Sequence, residues 1–144
     1  MEKINITKKP EIYFGSEFKD DMSSLLGKST LRGSQAILIT GKKSFQGTAE
    51  YQTLKRLLLE KIGIDLVNEV RVESNPTWEE IVRFGKTKDE VDTIFCVGGG
   101  SVIDFGKALK LHFYRNAQIF VVYTLPGSAS IVTPFVIFDN DEFK

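Results

Sequence analysis

The chain of 144 residues contains one cysteine, one histidine and no excess of either charge, with nineteen basic and nineteen acidic side chains. A lone cysteine excludes a disulfide framework, and Cys96, inside an apolar run, reads as an inert buried thiol rather than a nucleophile. His112 alone cannot build a histidine-rich metal site, and near the end of an expected helix it reads as a solvated side chain. Without net charge the chain lacks the long-range field that draws proteins to nucleic acid or anionic membranes, so neither is expected as a partner. Any phosphate ligand has to be held locally. No apolar run approaches the roughly 18 residues of a membrane span, and Met1 to Lys9 is too polar for a signal peptide. These absences point to a cytoplasmic protein with one domain over 1–144, long enough to bury roughly two thirds of its unfolded surface around a single core.

What is present is an alternation of two periodicities. Residues 11–15, 36–40, 65–72, 93–97, 119–123 and 135–138 read as short strands, several of them continuously apolar. Between them, a helix is expected over 18–26, closed by Gly27, and another over 48–62, closed by Gly63. The second carries Tyr51, Leu54, Leu58 and Ile62 as one apolar stripe, widened by Leu57. Thr77 and Glu80 have capping-box spacing and predict a helix start just after Pro76. Strands alternating with helices at this spacing imply βαβ units, hence an α/β, Rossmann-like, mainly parallel sheet with helices on both faces.

The most informative stretch is residues 97–107, where Gly98, Gly99 and Gly100 join the apolar strand 93–97 to a helix running through about Lys110. Ser101 and Asp104 have the spacing of an N-cap hydroxyl with an acidic residue three positions on. Three glycines there serve either as a tight βα turn or as a phosphate cradle, in which bare backbone N–H groups meet a pyrophosphate at the positive end of the helix. The G-x-G-x-x-G fingerprint does not occur.

The fuller pattern G-G-G-S-x-x-D-x-x-K, from Gly98 to Lys107, resembles the signature of the iron-dependent (group III) alcohol dehydrogenases. That family includes glycerol and 1,2-propanediol dehydrogenases and is related to dehydroquinate synthase. The resemblance extends along the chain. The stretch 12–15 is similar to the family's opening strand, Asn75-Pro76-Thr77 to its N-P-T turn, and 124–135 to its T-T-x-G-T-G-S-E-V-T-P-F segment. Ala129 and Ile131 depart from that last segment, standing where the family has glycine and glutamate, and the connection from Lys107 to Thr124 is shorter than usual.

The resemblance implies the nucleotide-binding domain of an NAD(P)-dependent, metal-dependent alcohol dehydrogenase or aldehyde reductase, an oxidoreductase. Gly98, Gly99, Gly100 and Ser101 would hold the pyrophosphate, Asp104 would lie near the nicotinamide side, and Thr124 and Ser128 would line the opposite wall. Lys107 would support the helix or a phosphate. No residue reads as a general acid or base. Family members continue into a helical domain whose aspartate and histidines bind Fe²⁺ or Zn²⁺. With the sequence ending at Lys144 and Asp139, Asp141 and Glu142 reading as a polar turn, the expectation is a form truncated before the metal domain. Such a form would bind cofactor, have no metal of its own, lack turnover, and self-associate as a homo-oligomer. The alternatives are a stand-alone nucleotide-binding or regulatory module and one subunit of a split dehydrogenase.

The end of strand 36–40 bears on cofactor choice, because the adenosine ribose lies near such strand ends in nucleotide-binding sheets, where an acidic residue favours a 2′-hydroxyl and small or basic residues admit a 2′-phosphate. The chain has Gly41, Lys42, Lys43 and Ser44 there, and relatives preferring NAD often have aspartate where Gly41 falls. NADP is therefore expected as the cofactor, with NAD as the alternative.

Overall fold

The apolar runs become strands and the striped segments helices in a computed structural model describing residues 18–28, 35–42, 47–73, 75–86 and 90–123. In chain order the elements are α1 (Phe18–Lys28), β1 (Gln35–Gly41), α2 (Ala49–Ile62), β2 (Asp65–Val72), α3 (Trp78–Gly85), β3 (Thr93–Gly98), α4 (Gly100–His112) and β4 (Gln118–Tyr123). The strands expected at 11–15 and 135–138 lie outside the described residues.

Local chemistry sets most boundaries. The Thr48 hydroxyl accepts the Tyr51 N–H at 3.3 Å and starts α2, which Gly63 ends in the left-handed conformation at φ 63°. The expected capping box starts α3: the Glu80 N–H donates to Thr77 Oγ1 at 3.2 Å, and the Thr77 N–H donates to Glu80 Oε2 at 2.9 Å. One expectation fails. Gly27 does not end α1, which continues through it to Lys28, because a glycine weakens a helix by only about 1 kcal/mol and does not have to stop it.

All described pairings are parallel, in the order β2-β1-β3-β4. Alternation along each strand feeds two cores. Ile37 and Ile39 of β1 and Ile94 and Cys96 of β3 join Ile81 of α3 and Val102, Phe105 and Leu109 of α4 on one face. Ala36, Leu38, Phe95 and Val97 join Met22 and Leu26 of α1 and Leu54 and Leu58 of α2 on the other. The central strands are therefore covered on both sides, as the parallel arrangement requires.

A polar cluster ties α2 to β2. The Tyr51 hydroxyl donates to the Glu69 carboxylate, whose other oxygen lies 2.7 Å from Lys55 Nζ. Burial opposes ionisation of Glu69, but hydrogen bonds from Lys55 and Tyr51 outweigh it and hold its pKa below the usual glutamate value.

Helix α4 lies close on the sheet at Gly106, where a Cβ would come within 2.3 Å of Cys96 Sγ. Gly106→Ala would gain up to about 1 kcal/mol of helix propensity. The overlap with a short side chain on a central strand costs more, about 1–3 kcal/mol. Urea denaturation should show Gly106→Ala destabilised, and the added change Cys96→Ala should recover most of the loss. An unchanged single variant would contradict this packing.

Candidate functional site at the carboxyl ends of β1 and β3

From β1 the chain crosses through α2 to β2 on one side, and it later returns to β3 on the other side of β1 before moving on to β4. Because α2 and α4 cover opposite faces, β1 and β3 lie at the switch point of the sheet, and the crevice beyond the carboxyl ends of such strands is the usual ligand position in open α/β sheets. The strand ends lie level: Val72 pairs with Gly41, Thr40 with Val97, and Gly98 with Tyr123.

The glycine run forms one wall. Gly98 has φ 157°, and a Cβ there would meet Val102 Cγ2 at 2.8 Å, so the position excludes side chains on both counts. Gly99, with φ −99° and ψ −160°, is the N-cap of α4 and supplies no side-chain cap. This corrects the expected cap. Ser101 stands inside the first turn, because the glycine backbone turns into the helix before the serine is reached. No acidic residue lies in that turn, so the amino end of a 13-residue helix points into the crevice with backbone N–H groups that no earlier helical carbonyl can accept.

The Ser101 hydroxyl instead accepts the Asn75 N–H at 3.5 Å, which brings the 75–77 turn against the glycine run. Asn75 has φ 57°, a conformation that asparagine tolerates better than most residues.

Asp104 is only 5% exposed. Its Oδ1 lies 3.8 Å from Lys107 Nζ, one helical turn on. Burial pushes the Lys107 pKa below the usual lysine value, and the Asp104 carboxylate offsets this only in part. Burial also raises the Cys96 thiol to about 12. That thiol is a packing group under Gly106 and not a nucleophile.

At the other wall, Gly41 ends β1 and Lys42 follows it. The Lys42 ammonium donates to the Glu73 carboxylate, just past the end of β2, and the two side chains are 48% and 64% exposed. An exposed pair of this kind contributes about 0–1 kcal/mol, too little to be what holds β1 and β2 together. Glu73 is the site neighbour that sequence reasoning does not single out, whereas Asn75 enters it only as part of the N-P-T turn. Residue spacing carries no sign of an ion pair 31 positions apart, and only the β1–β2 register creates it.

The structure thus brings Gly41, Lys42, Gly98, Gly99, Gly100 and Ser101 to one end of the sheet, with Asp104 buried in the second turn of α4. Lys43, Ser44, Thr124 and Ser128 lie outside the described residues. His112 is the last residue of α4, exposed, with its ring edge-on to Trp78 at 4.8 Å. Among the described residues no group of three or more His, Cys, Asp or Glu side chains is placed to hold a metal ion, and no helix is long and apolar enough to cross a membrane.

The layout is that of a Rossmann-like α/β domain with a glycine-opened helix at its switch point. Residues 9–144 match the family described as iron-containing alcohol dehydrogenase, and the chain belongs to that family. The fold is similar to an iron-containing alcohol dehydrogenase from Thermotoga maritima, with TM-score 0.69 and 25% identity over 87% of this chain and 38% of that one. It is also similar to an NADH-dependent butanol dehydrogenase A from the same organism, with TM-score 0.59 and 25% identity over 76% and 27% of the two chains. An archaeal halo-thermophilic Red Sea brine pool alcohol dehydrogenase, bound to NZQ, matches with TM-score 0.57 and 26% identity over 71% and 25%. The chain thus covers 38%, 27% and 25% of these three structures, well under half of each. No curated protein matches it.

The raised Cys96 pKa has a direct readout. A thiol titrating near 12 is almost wholly protonated at pH 8, and Cys96 is fully buried, so the native chain should resist a disulfide reagent such as dithiobis(nitrobenzoate) and react fully once unfolded in urea. Fast labelling of the native chain would contradict both the burial and its electrostatic consequence.

Proposed function

We propose that the chain is the dinucleotide-binding part of an alcohol dehydrogenase or aldehyde reductase and that it holds NADP(H), or alternatively NAD(H), across the crevice between β1 and β3. The observation that carries this reading is the amino end of α4, opened by Gly98 and Gly99 without a side-chain cap and aimed into the switch point of the sheet. Backbone N–H groups of Gly100, Ser101 and Val102 would bind the pyrophosphate, each anionic group gaining about 0.3–1 kcal/mol from the helix end. The Ser101 hydroxyl accepts the Asn75 N–H and keeps its own proton, so it would add a donor.

Hydride exchange between the nicotinamide ring and an alcohol or aldehyde carbon is the chemistry such a group supplies when bound. This chain's described residues bind and orient. They offer no exposed group with the placement of a general acid or base, and Asp104 and Lys107 face one another one turn apart within α4. The metal centre that the family's name implies has no matching donor group among the described residues, so no step is assigned to one. For cofactor choice, the absence of a carboxylate at Gly41 and the basic Lys42 and Lys43 favour a 2′-phosphate. Thr124 and Ser128 are proposed to complete the opposite wall.

Gly99 separates ligand approach from folding. Its backbone angles are accessible to any residue, so Gly99→Val should leave the circular dichroism spectrum and urea midpoint close to those of the parent. It should abolish NADPH binding measured by calorimetry, or by quenching of the single tryptophan, Trp78. Retained affinity in a folded Gly99→Val chain would refute the cradle.

A further inference from the structure

Lys42 is already engaged. Residues 42 and 73 lie one position beyond the paired ends Gly41 and Val72, so their side chains leave neighbouring strands at the same level. On the far side of β1, the Thr40–Val97 pairing brings the glycine run to that level too. With parallel strands about 4.8 Å apart, Lys42 stands one strand away from the phosphate cradle and Glu73 two, along the line that an adenosine ribose follows from a pyrophosphate. Among the described residues, the carboxylate paired with Lys42 is that of Glu73.

We propose that Glu73 is a specificity-determining residue for the adenosine end of the dinucleotide, holding the Lys42 ammonium away from a 2′-phosphate and offering its own carboxylate to a 2′-hydroxyl. The inference rests on the dinucleotide reading of the crevice and adds a residue opposing the preference that Gly41 and the lysines set. A ribose 2′-hydroxyl can donate to the carboxylate while the ion pair stays intact. A 2′-phosphate needs Lys42 for itself and is repelled by Glu73, so it has to separate the pair. Because both partners are exposed, separation is cheap and the site accepts either cofactor, with the Glu73 charge setting the ratio.

The test uses the full 144-residue chain and its Glu73→Gln, Lys42→Ala and doubly substituted variants, with calorimetric titration of NADPH and NADH into each. Gln keeps the size of an exposed side chain, so the fold is expected to survive, checked by circular dichroism. Glu73→Gln should tighten NADPH by about fivefold, the scale of one exposed charge contact, and leave NADH unchanged or somewhat weaker. Lys42→Ala in that background should erase the gain, and high salt should shrink it. An equal change for both cofactors, or none, would overturn the role of Glu73 and leave the crevice reading intact. Failure of the folded parent chain to bind either cofactor would overturn the crevice reading and this proposal with it.

Discussion

The site depends on how closely α4 can lie on β3. A side chain at Gly106 would collide with Cys96, and one at Gly98 would collide with Val102. With both positions empty, the helix settles against the strand along Val102, Ile103, Phe105 and Leu109, side chains that contribute roughly 1.5–3 kcal/mol each when fully buried. That packing fixes the direction of the helix axis.

Packing and electrostatics are coupled at that end. The first turn has no acidic residue and, among the described residues, no side-chain cap, so its first N–H groups and the positive end of the helix dipole have no intrahelical acceptor. A chain with no net charge has no long-range field to gather phosphates. The local field of one helix end, flanked by Lys42, is what the crevice offers. Asn75 in its left-handed conformation braces Ser101 from the α3 side, and the capping box of α3 holds that turn in place.

Most of the fold was legible in the sequence, because its signals are local. The apolar runs at 36–40, 93–97 and 119–123 and the Thr77–Glu80 box need no partner to be recognised, and the elements formed within a residue or two of expectation. Where local reading went wrong, a glycine was involved. Gly27 reads as a stop, yet α1 passes through it to Lys28. Ser101 has the spacing of a cap, yet the N-cap is Gly99, two residues earlier. The site was legible in its glycines and not in its charges. Nothing near Lys42 in sequence announces Glu73, since their meeting depends on strands β1 and β2 running parallel and level. The burial of Asp104 depends likewise on the face of α4 that meets the sheet, a property of the assembled core.

The central claim is that the amino end of α4 and the adjacent end of β1 form one ligand site. Nitrogen-15 heteronuclear NMR of the labelled chain during titration with NADPH tests it residue by residue. The account predicts the largest amide shifts at Gly99, Gly100, Ser101 and Val102, with Lys42 close behind, and little change at Asp92, Ala117 and Gln118 at the opposite end of the sheet. Shifts concentrated at that opposite end, or spread evenly over the domain, would contradict it.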